Sequence, residues 1–153
     1  MDLSAELQTS NIILIVTSKE KYNSSLSEVQ TQVGNSFLKI GYVTINKPFN
    51  SVMQDLENRG VDKTKFSFAD AITATVQTPP IVDNCMFITS PNALTDLGLA
   101  FTSLYNDLGC EVVIFDTIST LIVYQDIGSV TKFVHNLVTK SRVINKKLVL
   151  IAL

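Results

Sequence analysis

Charge is the property in shortest supply here. Asp, Glu, Lys and Arg make up 17% of the 153 residues, below the roughly 25% usual in soluble domains. The polar surface therefore leans on Ser, Thr, Asn and Gln. A net charge of −2 leaves no surplus of Lys and Arg for a nucleic-acid footprint, which needs them clustered. Soft metal ligands are scarce as well: two cysteines, Cys85 and Cys110, with no C-x-x-C pair, and one histidine, His135. That excludes a cysteine-rich metal cluster and reads as two reduced, buried thiols in a cytosolic protein. Long apolar runs are missing too. Ile12–Val16 and Leu148–Leu153 fall far short of the ~18 residues of a membrane span. The first residues, Met1-Asp2-Leu3-Ser4-Ala5-Glu6, carry acids where a secretory signal needs positive charge. The expectation is a cytoplasmic chain with no membrane segment.

Apolar residues, by contrast, are plentiful. They reach 46%, with a mean hydropathy of +0.27, which excludes disorder. The length suits one domain over residues 1–153. Two periodicities alternate along it. Asn11–Ser18 is a continuous β-branched run, the mark of a strand covered on both faces. Leu26, Val29, Val33 and Phe37 then space as a helical stripe, with Ser25 and Glu28 in capping-box spacing at its start. Gly41–Ile45 reads as a second strand. Phe49, Val52, Met53 and Leu56 follow as a helix closed by Gly60. Lys65–Asp70 is a short third strand and Ala71–Asn84, with Pro79-Pro80, an irregular crossover. Cys85–Thr89 resumes strand character, and Ser90-Pro91 predicts a helix start with cap and first-turn proline. Leu94, Leu97, Phe101, Leu104 and Leu108 form that helix's apolar face. Glu111–Asp116 is a buried strand, Val130, Phe133, Val134, Leu137 and Val138 mark the last helix, and Leu148–Leu153 is the final strand. This alternation predicts an α/β three-layer sandwich on a mainly parallel central sheet.

In such a sheet, ligands sit at the carboxyl ends of the strands. The first exit, Thr17 to Ser25, has no glycine to turn backbone amides inward and carries Glu20, which repels phosphate. Its Ser24 and Ser25 offer hydroxyls at a helix start, or plain capping. The Glu111–Asp116 strand ends in an acid followed by Thr117-Ile118-Ser119. In an NTPase that acid holds Mg²⁺ through water; the alternative is a cap or loop anchor. Asn46-Lys47, Asp70 and Thr89-Ser90 follow the other strands. His135 lies beside the apolar stripe of the last helix, so no Ser/His/Asp set forms.

The order of these pieces, with Gly41-Tyr42-Val43-Thr44-Ile45 and Val113-Ile114-Phe115-Asp116-Thr117-Ile118-Ser119, resembles the RecA superfamily. Within it the chain is most similar to archaeal KaiC-like ATPases and their degenerate relatives. Phe68-Ala69-Asp70 and Leu121-Ile122-Val123-Tyr124 also fit that pattern. The resemblance implies a RecA-like P-loop fold from Ile12 onward, with the last strand between the first strand and the Asp116 strand. It also implies a chain that continues past this point, so 153 residues suggests a minimal or shortened domain. The departures bear on function. The family's phosphate loop, GxxxxGK[ST], should fall on Ser18–Ser25, where both glycines and the lysine are gone. The catalytic glutamate expected after the second strand is replaced by Asn46-Lys47.

The resulting expectation is a catalytically silent domain with no cofactor, acting in signal transduction by binding a protein partner or further copies of itself. Its vestigial nucleotide site comprises Ser18, Lys19, Asn23, Ser24, Ser25, Asn46, Lys47 and Asp116. One alternative is an ATPase or nucleotide sensor with a non-standard loop. There Lys19 or Lys21 replaces the missing lysine, and Asp116 keeps the Mg²⁺ of ATP. Another is a flavodoxin-like ligand-binding module whose first loop takes a phosphate without a lysine.

Overall fold

A computed structural model describes residues Met1–Leu153. Its six strands form one all-parallel sheet in the order β1-β6-β5-β2-β3-β4. The strands are β1 (Ile12–Val16), β2 (Ile40–Thr44), β3 (Phe66–Asp70), β4 (Cys85–Phe87), β5 (Val112–Asp116) and β6 (Lys147–Ala152). The helices are α1 (Leu3–Thr9), α2 (Tyr22–Ser36), α3 (Phe49–Asn58), α4 (Leu94–Asn106), α5 (Ile118–Tyr124) and α6 (Ile127–Val143). The last strand lies between β1 and β5, as the resemblance implied. This central place accounts for its apolar run, since Leu148 to Ile151 are all buried.

Side chains alternate across the sheet, so each face collects its own core. Ile40, Tyr42, Ile114, Val149 and Ile151 pack against α1, α2 and α3. Val43, Val113, Phe115, Leu148 and Leu150 pack against α4, α5 and α6. The result is three layers. β2 and β5 are buried along their whole length, which is why they read as unbroken apolar runs rather than alternating ones. Both cysteines are free and buried, and burial pushes the Cys110 thiol up to about 11.

Several element starts differ from the sequence reading. α2 begins at Tyr22, with Lys21 at the cap position and no side-chain cap. Ser25 therefore lies inside the helix, and its hydroxyl bonds the Thr17 hydroxyl at 2.9 Å instead of capping. α4 begins at Leu94 rather than at Pro91. Ser90 to Ala93 form a turn first, in which the Ala93 amide donates to the Ser90 carbonyl. Two short helices were not predicted. α1 spans only seven residues and shows the core just Leu3 and Leu7, while Asp2 caps it by accepting from the Ala5 amide. α5 buries Leu121 alone and is rich in β-branched residues, which leaves no helical stripe to see.

Candidate functional site

The carboxyl ends of β5, β2 and β3 put Asp116, Thr44 and Asp70 in one row across the sheet, because Thr44 is in register with both acids. These positions continue the side of the strands that faces α1 to α3. Each acid is buried, Asp116 at 1% exposure and Asp70 at 0%, and a buried carboxylate demands partners.

Asp70 finds them locally. Its oxygens accept from the backbone amides of Phe49, Ile72 and Thr73 and from the Thr73 hydroxyl, at 2.6 to 2.9 Å. It thereby ties the start of α3 to the turn after β3. All of these bonds are structural.

Asp116 finds different partners. The Tyr22 hydroxyl donates to its Oδ1 at 2.6 Å and the Tyr42 hydroxyl to its Oδ2 at 2.7 Å. Tyr42 in turn accepts from the Gln30 side-chain amide at 3.2 Å, and the Arg59 guanidinium donates to the Gln30 carbonyl oxygen. A chain of hydrogen bonds therefore runs from the C-terminal end of α3, through α2 and β2, to the end of β5. Burial raises the Asp116 pKa above its ordinary value of 3.8, while the two tyrosine hydroxyls, Lys47 and Asn46 pull it back. The same burial, with the adjacent carboxylate, pushes both tyrosine hydroxyls upward, so both stay protonated donors.

The other predicted site residues divide. Lys47 pairs with Asp55 at 3.3 Å, close enough to the Asp116 carboxylate to lower its pKa. The Asn46 carbonyl oxygen accepts from the Thr120 hydroxyl, joining the β2 exit to α5. Ser18 accepts from the Lys21 amide at 3.3 Å, and Ser24 donates to the Lys21 carbonyl at 2.9 Å. Lys19 and Asn23 are exposed and are not among the groups that act on Asp116. Hence Asp116, Asn46 and Lys47 come together, Ser25 bonds Thr17 instead, and the remaining loop residues serve their own turn.

Tyr22, Tyr42, Gln30 and Arg59 were missed as site residues. One signal for them was available: Gln30 lies four residues after Leu26, on the stripe that α2 buries, and is itself 1% exposed. A polar residue on a buried stripe requires a buried partner.

A magnesium-bound triphosphate does not match this donor set. Such a ligand needs inward-turned loop amides, a lysine and a carboxylate free to meet the metal shell. Here the Lys21 and Tyr22 amides close back on the Ser18 and Lys19 carbonyls. Both Asp116 oxygens are taken by tyrosines, one of them, Tyr22, from within the segment expected to cradle phosphate.

No family model matches the chain, and no curated protein does. Among solved structures, it is similar to the KaiC-like protein PH0186 from the hyperthermophilic archaeon Pyrococcus horikoshii OT3, at a TM-score of 0.67 and 9% identity. The match covers 92% of this chain and 62% of that one, so the chain spans under two thirds of its neighbour's length. At that identity the likeness speaks for architecture alone: the chain has a RecA/KaiC-like α/β fold, with an all-parallel sheet between two helical layers.

Proposed function

We propose that this is a catalytically silent RecA/KaiC-like domain that works as a regulatory, protein-binding module in signal transduction and takes no nucleotide cofactor. The observation that carries this reading is the engagement of both Asp116 oxygens by the Tyr22 and Tyr42 hydroxyls. A carboxylate already satisfied in this way gains little by turning to a hydrated metal, and the glycine-free first loop supplies no amide cradle in compensation. The partner reading draws support from large apolar side chains left in water, among them Leu14, Val16, Leu99, Val123, Ile127 and Val143, each more than half exposed. Protein partners and further copies of the chain both fit that surface.

Calorimetric titration with ATP and ADP in the presence of Mg²⁺ tests the nucleotide half of the proposal. The expected result is no saturable heat up to about 1 mM ligand, a free energy of roughly −4 kcal/mol at most. Micromolar binding that disappears in Asp116→Asn would overturn it and restore the reading of a nucleotide sensor with a non-standard loop.

A further inference from the structure

α4 and α6 pack side by side on one face of the sheet and leave a groove between them. At its upper end it encloses about 380 Å³ over Gly98, Phe133 and Leu137, with Lys132 and Lys140 on its wall. It continues past Lys140 into a second depression of about 220 Å³, beside Thr102, Tyr105 and Val143. Gly98 keeps the floor low: a Cβ there would stand 3.7 Å from the Phe133 ring and 3.8 Å from the Lys140 ammonium. From Ser129 to Ile144 the groove runs fifteen helical steps, or about 22 Å.

Its charge is one-sided. After Asp126 the chain carries no acid, yet it carries Lys132, Lys140, Arg142, Lys146 and Lys147. None of the three ion pairs in the molecule involves α6. The α4 residues lining the groove are all uncharged. Two unpaired ammonium groups therefore flank a concave, partly apolar floor, and Leu99 and Val143 stand exposed on its rims at 63% and 78%.

We infer that the α4–α6 groove binds an acidic amphipathic segment of a protein partner, its apolar side chains seated on Gly98 and Phe133 and its carboxylates paired with Lys132 and Lys140. This deepens the protein-binding reading above and rests on it. The length suits a helix of about four turns. A concave floor disfavours a membrane surface, which an amphipathic helix meets with a convex apolar face. The absence of arginine and of an exposed aromatic platform from the lining disfavours a nucleic-acid strand, which binds by stacking and phosphate clamping.

The experiment is an amide-resolved NMR titration, with fluorescence anisotropy for affinity, using a synthetic helical peptide of about 15 residues with leucines on one face and glutamates flanking them. The expected result is saturable binding with Kd on the order of 10–100 μM, weakened by salt, with shifts confined to α4 and α6. The Lys132→Glu/Lys140→Glu variant should bind at least about tenfold more weakly, while Lys21→Glu/Lys63→Glu, an equal double charge reversal on the α2–α3 face of the sheet, should bind as wild type does. Gly98→Leu fills the floor and should weaken binding similarly with the lysines intact, its fold checked by circular dichroism. The same peptide with lysines in place of glutamates should not bind. The proposal is overturned if the acidic peptide shifts nothing at millimolar concentration, or if shifts fall outside α4 and α6. Preference for phosphatidylserine vesicles or a single-stranded oligonucleotide over the peptide overturns it as well. Silence toward the peptide leaves the catalytically silent reading standing, whereas nucleotide binding at Asp116 defeats that reading without touching the groove.

Discussion

Asp116 is bonded by two hydroxyls rather than by a cation, and this decides how its protonation couples to folding. Burial is the largest influence on it and raises its pKa above 3.8. A carboxyl whose native pKa exceeds its unfolded value holds its proton more tightly when folded. Its contribution to stability therefore falls as pH rises from 3.8 through the raised native value, and is level above that. Asp116→Asn keeps the shape and removes the titration. Relative to wild type, the variant is expected to gain stability as pH rises through that window. Urea midpoints measured across the acid range give the difference curve directly, and parallel curves for the two proteins would contradict it. Subtracting the two curves cancels the opposite slope from exposed acids such as Asp62 and Asp126, whose pKa values hydrogen bonds lower.

At the level of elements, close approach between a strand and its covering helix depends on one missing side chain. Gly41 in β2 faces α4, where an added Cβ would lie 2.8 Å from Val113 Cγ2 and 3.1 to 3.3 Å from Leu104. Those neighbours are fully buried and have nowhere to retreat. Gly41→Ala is expected to cost about 1–3 kcal/mol by overpacking, read as a lower denaturant midpoint at unchanged slope. The same scale explains how the helices end. Gly60 and Gly109, at φ +72° and +68°, take the left-handed conformation just beyond α3 and α4. Both breaks were legible, since each glycine follows an apolar stripe. The start of α2 was not. Ser25 and Glu28 offered a capping pair, yet the helix extends back to Tyr22 and brings that hydroxyl onto Asp116.

For the whole molecule, the sheet order leaves β1 at an edge. Its bonds to β6 use odd-numbered residues, as when the Leu148 amide donates to the Asn11 carbonyl and the Thr17 amide to the Ala152 carbonyl. The backbone groups of Ile12, Leu14 and Val16 therefore point outward, and Leu14 and Val16 are 55% and 71% exposed. An uncharged, apolar edge strand is a template for unwanted pairing. Val16→Lys is expected to slow heat-induced aggregation several-fold in light scattering, with a stability change within about 0.5 kcal/mol because the side chain is exposed. An unchanged aggregation rate would show that association proceeds through another surface.

Layer architecture and strand positions were legible because they rest on local patterns. Unbroken runs such as Val112–Phe115 read as strands covered on both faces, and the stripes of α3 and α6 read as helices with one face inward. The strand ending in Asp116 was visible for the same reason. The partners of that acid were not. Tyr22 and Asp116 are 94 residues apart, and Tyr42 and Asp116 are 74 apart. No spacing rule links such positions until β2 and β5 pair and α2 settles over them. Charge on α6 could be counted along the chain, but only the packing of α4 against α6 turned it into the wall of a groove. Periodicity reports which face of an element is buried, and only the assembled layers decide which side chains meet there.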